Sequence, residues 1–180
     1  MKFQNIKIKF MLSFEQIIDK APIEIQEILE KCKTTPQSSK WHPEAPHDSI
    51  PHNVYKHIKI VYNRAMKSQD INLIISAMFH DLGKFSVTKP SVKHPGFWSA
   101  HGHEYVSAEL VEKHRQWIEE MGANWFIVYQ IVKEHMRIKY LEDMRPSKQN
   151  ELLKNPLFSK FVIFSDFDNM KTLSEEEINI

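Results

Sequence analysis

Histidines and aspartates recur on the apolar faces of helical segments along this 180-residue chain, and that pattern limits what it can become. Side chains three or four residues apart share one face of a helix. His57 shares its face with Val54, Ile60 and Val61. His80 and Asp81 end an apolar run that begins at Ile71 and continues through Ile74, Ile75, Met78 and Phe79. His103 is followed at +3 and +7 by Val106 and Leu110, and His135 is preceded at −4 and −7 by Ile131 and Val128. Asp166 lies inside the run Phe161–Phe167, with Val162 and Ile163 at −4 and −3. A lone inward histidine is commonly a hydrogen-bonded core residue, but an inward carboxylate needs a cation or several donors. Four imidazoles and two carboxylates reaching inward from five helices are best satisfied together, by divalent metal. Imidazole and carboxylate suit iron, manganese, zinc, cobalt or nickel. Cys32 is the single cysteine, so neither a thiolate zinc site nor an internal disulfide is available. That cysteine usage predicts a reducing, cytoplasmic setting.

The surrounding sequence predicts an all-α chain folded as one domain. Pro22 divides the apolar stretch Ser13–Lys33 into two helices, since proline is best tolerated in a first turn. Four prolines between Thr34 and His52 predict an irregular loop, and a second irregular stretch runs over 83–99. Asn53 and Asp70 read as caps of helices to about Ser68 and Phe79. Further helices are expected from about His101 to Met121, Asn124 to Arg137, Ser147 to Lys154 and Pro156 to Met170. Residues 1–11 read as a leader or one short strand, and 172–180 as a frayed acidic tail. No apolar stretch is long enough for a membrane span or a signal peptide. A formal net charge of +1 gives no case for strong nonspecific nucleic-acid binding.

The ordered set His57, His80-Asp81, His103, His135 and Asp166 resembles the HD-domain metal-dependent phosphohydrolase superfamily. The most specific segment is Ala77-Met-Phe-His-Asp-Leu-Gly-Lys84, which matches the family's HD-x-G-K core. Phe97–Glu104 and Val132–Met136 match its downstream histidine segments. Trp41-His-Pro-Glu44 is similar to the HD domains appended to bacterial tRNA nucleotidyltransferases. The resemblance covers roughly residues 36–170 and implies a helical bundle with the metal site in its core, with the HD domain expected over 12–171. It implies a first metal on His57, His80, Asp81 and Asp166, with Asp81 bridging to a second on His103 and His135. The ions would be iron, manganese, cobalt, nickel, zinc or magnesium. The implied reaction is hydrolysis of a phosphomonoester or phosphodiester by metal-activated hydroxide, on a nucleotide or a nucleic-acid end. Asp81 and Lys84 would be the catalytic residues, with Lys84 and Arg137 holding phosphate. A di-iron oxygenase and a non-catalytic nucleotide-sensing module are the alternatives.

Other histidines read differently. His47-Asp48 is a second HD dipeptide, but it sits among prolines without apolar periodicity and reads as a turn. His101 competes with His103, whose following Glu104 fits the family pattern better. His114 returns to the face of His103 but roughly 16 Å along the axis, too far for the same site. Trp117, Trp125, Phe126 and Tyr129 read as core packing.

Overall fold

A computed structural model describes residues 12–37, 53–95 and 97–180. The leader 1–11, the Trp41–Glu44 segment and the His47-Asp48 pair lie outside the described residues. The described chain is helical apart from one two-stranded hairpin. Helix α1 (Phe14–Lys20) starts at a capping box of Ser13 and Gln16, and Pro22 opens α2 (Ile23–Cys32), as the sequence predicts. The Asn53 side chain caps α3 (Val54–Met66), and that of Asp70 caps α4 (Ile71–Phe79).

Helix α4 is buried at every position except Asn72, so it runs through the centre of the molecule. Its apolar side chains cover its whole circumference, which only a helix surrounded by others tolerates. Full burial of each Ile or Phe contributes roughly 1.5–3 kcal/mol relative to exposure. Its one buried hydroxyl, on Ser76, donates to the carbonyl of Asn72 at 2.6 Å. Around α4 lie α3, α6 (His103–Lys113), α8 (Trp125–Lys139) and α10 (Phe158–Phe167), with α6 and α10 both packed on α8. The site lies where these helices meet. No helix among the described residues is long and apolar enough to cross a membrane.

The structure departs from the sequence expectations in four places. The stretch 83–99 is not wholly irregular: α5 (Lys84–Val87) is followed by β1 (Lys89–Pro90) and β2 (Trp98–Ser99), paired antiparallel. The helix expected from His101 to Met121 is two, because the chain bends at His114 before α7 (Arg115–Glu120). The His114 ring there contacts Glu24 of α2 at 2.8 Å, a tertiary contact invisible to local propensity. The last long helix ends at Phe167 rather than Met170. Finally, the acidic tail is structured. Ser174 forms a capping box with Glu177, starting α11 (Glu175–Ile178), and Glu177 pairs with Arg64 of α3. Between α8 and α10, the helix α9 (Pro146–Leu153) begins with proline in its first turn. Of the aromatics expected in the core, Phe126 is 51% exposed, while Trp117, Trp125 and Tyr129 pack partly against it.

Candidate metal centre

His80 and Asp81 leave the end of α4 as consecutive residues, and a helix end splays them around a common point. Gly83 then lets this turn press against α6. A Cβ there would lie 2.3 Å from the His103 carbonyl oxygen and 2.8 Å from Val106 Cβ. The Gly83 N–H donates to Ser107 Oγ at 2.8 Å, fixing the contact. That approach carries His103, the first residue of α6, to Asp81. His57 comes from the second turn of α3 and His135 from the last turns of α8.

These residues form two adjoining groups. His57 Nε2 lies 3.1 Å from both His80 Nε2 and Asp81 Oδ2, and 3.0 Å from Asp168 Oδ1. On the other side, His103 Nε2 lies 3.2 Å from His135 Nε2 and 3.0 Å from Asp81 Oδ1. Asp81 thus offers one oxygen to each group. His57, His80, Asp81, His103 and His135 are all 3% exposed or less.

The ring tautomers follow from backbone contacts. Nδ1 of His80, His103 and His135 lies 2.9, 2.6 and 2.6 Å from the carbonyls of Ala77, Ala100 and Val132. A carbonyl can only accept, so in each ring Nδ1 donates, and in a neutral ring Nε2 is then left as a lone pair. Burial lowers the pKa of both His103 and His135, keeping these rings neutral. Two imidazole lone pairs and a carboxylate oxygen therefore face one another with no proton between them. This arrangement is repulsive by itself and is satisfied by a cation. Donors about 2.1 Å from a common metal stand about 3.0–3.4 Å apart for octahedral to tetrahedral geometry. Two of the three pairs fall in that range, and His135 Nε2 stands 3.7 Å from Asp81 Oδ1. Backbone carbonyls that orient imidazoles through the other ring nitrogen are a regular feature of metal-binding histidines.

Asp166 requires a correction. It is exposed, along with Val162 (40%) and Ile163 (42%), the residues whose spacing implied an inward face. The run Phe161–Phe167 carries apolar side chains all round the helix, with Ser165 and Asp166 its polar members, so apolar spacing alone does not single out its buried face. The inward set is Phe161, Phe164 and Asp168, at i, i+3 and i+7. Asp168, 3% exposed and just past the end of α10, is the carboxylate that turns inward to meet His57. Its oxygens accept no well-aligned hydrogen bond; their contacts are with His57, with His80 and with Nζ of Lys139. Lys139 was also missed in the sequence, although its place four residues after His135 puts both on one face of α8.

Burial alone would push the Asp81 and Asp168 carboxyls up. The ammonium groups of Lys84 and Lys139 override it and hold both well below the usual carboxylate range. For His57, burial opposes protonation, but its contacts with Asp168 and Asp81 outweigh it and raise the pKa. Lys84, 7% exposed, places Nζ 2.7 Å from Asp81 Oδ2 and 3.3 Å from Gln37 Oε1. Arg137 Nη1 lies 2.7 Å from Glu134, while its buried Nη2 has no hydrogen-bond partner. His101 is exposed and outside the cluster.

A cavity of about 900 Å³ opens over His57, His103 and Asp168. Its lining includes six basic side chains: Lys84, Lys89, Lys93, Arg137, Lys139 and Lys171. Buried histidines and aspartates that could hold a metal therefore lie at the base of a basic pocket.

No curated protein and no solved structure matches the chain. The HD-domain family profile matches residues 54–169, a span that contains every residue of the cluster. Because the match covers more than half of the chain and includes the histidines and aspartates that meet in its core, the chain belongs to the HD-domain family.

Proposed function

We propose that this chain is a cytoplasmic metal-dependent phosphohydrolase acting on a phosphomonoester or phosphodiester, with a nucleotide as substrate. His57, His80, Asp81 and Asp168 would hold one divalent ion; Asp81, His103 and His135 would hold a second. The observation that carries this reading is the group of His103 Nε2, His135 Nε2 and Asp81 Oδ1, mutually close and lacking a proton to share. A divalent ion held by these residues would supply Lewis acidity, lowering the pKa of a coordinated water toward neutrality.

The chain's own residues account for the choice of an anionic substrate. The charges of Asp81 and Asp168 are already balanced by Lys84 and Lys139. Each divalent ion would therefore add uncompensated positive charge at the base of a pocket whose walls are basic, a field that attracts phosphate. Lysine has three donors. Two of those on Lys84 meet Asp81 and Gln37, leaving one for a phosphate oxygen. The unpaired Nη2 of Arg137 supplies a second donor at the cavity wall.

The test is a phosphate-release screen with manganese, cobalt or nickel. Substrates should cover nucleoside mono-, di- and triphosphates, 2′,3′-cyclic phosphates and artificial diesters, assayed with and without oxygen. Turnover without oxygen is expected. Oxygen uptake only in the iron form, with no phosphate released, would support the oxygenase alternative. Tight nucleotide binding without turnover would support a sensor.

A further inference from the structure

We infer that Arg64 is a positioning residue for Asp168, and that the C-terminal segment 167–178 is the element through which it acts. This rests on the assignment of Asp168 as a metal ligand made above. Asp168 stands beyond the last turn of α10, where backbone carbonyls have no helical partners. Arg64 takes up the two on either side of it: Nη1 donates to Phe167 O at 3.0 Å and to Asn169 O at 2.5 Å. Its Nη2 donates to Thr172 O at 2.9 Å. Nε and Nη2 also meet the two Glu177 carboxylate oxygens at 2.6 and 2.8 Å, a planar fork that lysine cannot reproduce.

The placement on α3 gives the arrangement its meaning. Arg64 lies seven residues after His57, which is two turns along the same helix face and about 10 Å along the axis. One face of α3 therefore meets Asp168 twice. His57 meets its carboxylate at 3.0 Å, and Arg64 grips the backbone on both sides of it. With the grip in place, the direction of the Asp168 side chain is set relative to His57. Without it, the contacts of Lys139, His57 and His80 with the carboxylate are what hold it.

The test is a cobalt(II) titration of the full chain, followed by visible absorption and metal analysis, with the metal-free melting temperature as the measure of folding. Arg64→Met should bind the ion that Asp168→Ala abolishes at least about 10-fold more weakly and change its absorption band. The ion that depends on His103 and His135 should keep its wild-type affinity. Arg64→Lys should recover only part of the loss, because the charge returns without the fork. If Arg64→Met does not fold, Arg64→Lys and Glu177→Ala decide the question, each with an expected 3- to 10-fold weakening of the Asp168-dependent ion. Wild-type affinity at that ion in a folded variant overturns the inference. So does equal weakening of both ions in proportion to the melting temperature, which would mark Arg64 as a general stabiliser. A wild-type chain that takes up no cobalt would instead overturn the metal reading itself.

Discussion

Asp166 and Asp168 are two positions apart and face opposite ways, so their substitutions should separate cleanly. Asp168→Ala is expected to weaken metal binding about 100-fold or more, whereas Asp166→Ala should leave it unchanged. Metal analysis of both purified variants decides this, and equal occupancy would remove Asp168 from the site. Gly83 is constrained by space rather than by dihedral angle. Gly83→Ala places a methyl against the His103 carbonyl, and relief of that contact must push α6 away from the turn that carries Asp81. We expect about 1–3 kcal/mol of destabilisation in urea unfolding, with preferential loss of the ion bound through His103. Lys84→Ala should lower kcat/KM for the phosphate ester by about 10²–10³, the usual effect of losing a donor to developing charge. A variant with wild-type kcat/KM would return Lys84 to a purely structural role opposite Asp81.

At the scale of elements, the segment around α11 behaves as a clasp on α3, and its pH dependence follows from Glu177. The hydrogen bonds from Arg64 hold that carboxyl down at about 2, against an ordinary value of 4.5. A folded-state value below the unfolded one contributes stability that is full above the unfolded pKa and is lost as pH falls through the folded one. The stability difference between wild type and Glu177→Gln should therefore be present at neutral pH and vanish between about pH 4.5 and 2. A difference constant over that window would show that the pair contributes nothing beyond its neutral contacts. Element boundaries also explain the main misreading of the site. α10 stops at Phe167, so Asp168 extends the face of Phe161 and Phe164 one position past the helix, where Arg64 grips the chain on either side of it.

For the whole molecule, a metal held by this cluster would link binding to folding, because the candidate ligands come from α3, the end of α4, α6, α8 and the end of α10. A ligand that binds only the folded state at 100 times its Kd stabilises by about 2.7 kcal/mol per site. For a domain of this size that is an increase in Tm of about 5–10 °C, lost on addition of a chelator. A chelator-insensitive Tm in protein shown to contain metal beforehand would argue against a site shared among these helices.

The all-helical class, the helix starts at Ser13, Asn53, Asp70 and Asn124, and five of the cluster's six side chains were legible in the sequence. Each depends on local chemistry: a capping side chain, a proline in a first turn, or a polar group at a fixed interval from apolar neighbours. Asp168, Lys139, the clasp of Arg64 and the bend at His114 were decided only in three dimensions. The inward carboxylate was misassigned because the apolar residues of Phe161–Phe167 spread all round the helix, so their spacing does not say which side turns inward. Packing against α8 chose Phe161 and Phe164, and that choice carried Asp168 into the site and left Asp166 in solvent. A polar group at i+3 or i+4 on a two-faced helix announces its direction; one past the end of a helix with apolar residues all round takes its direction from its partners.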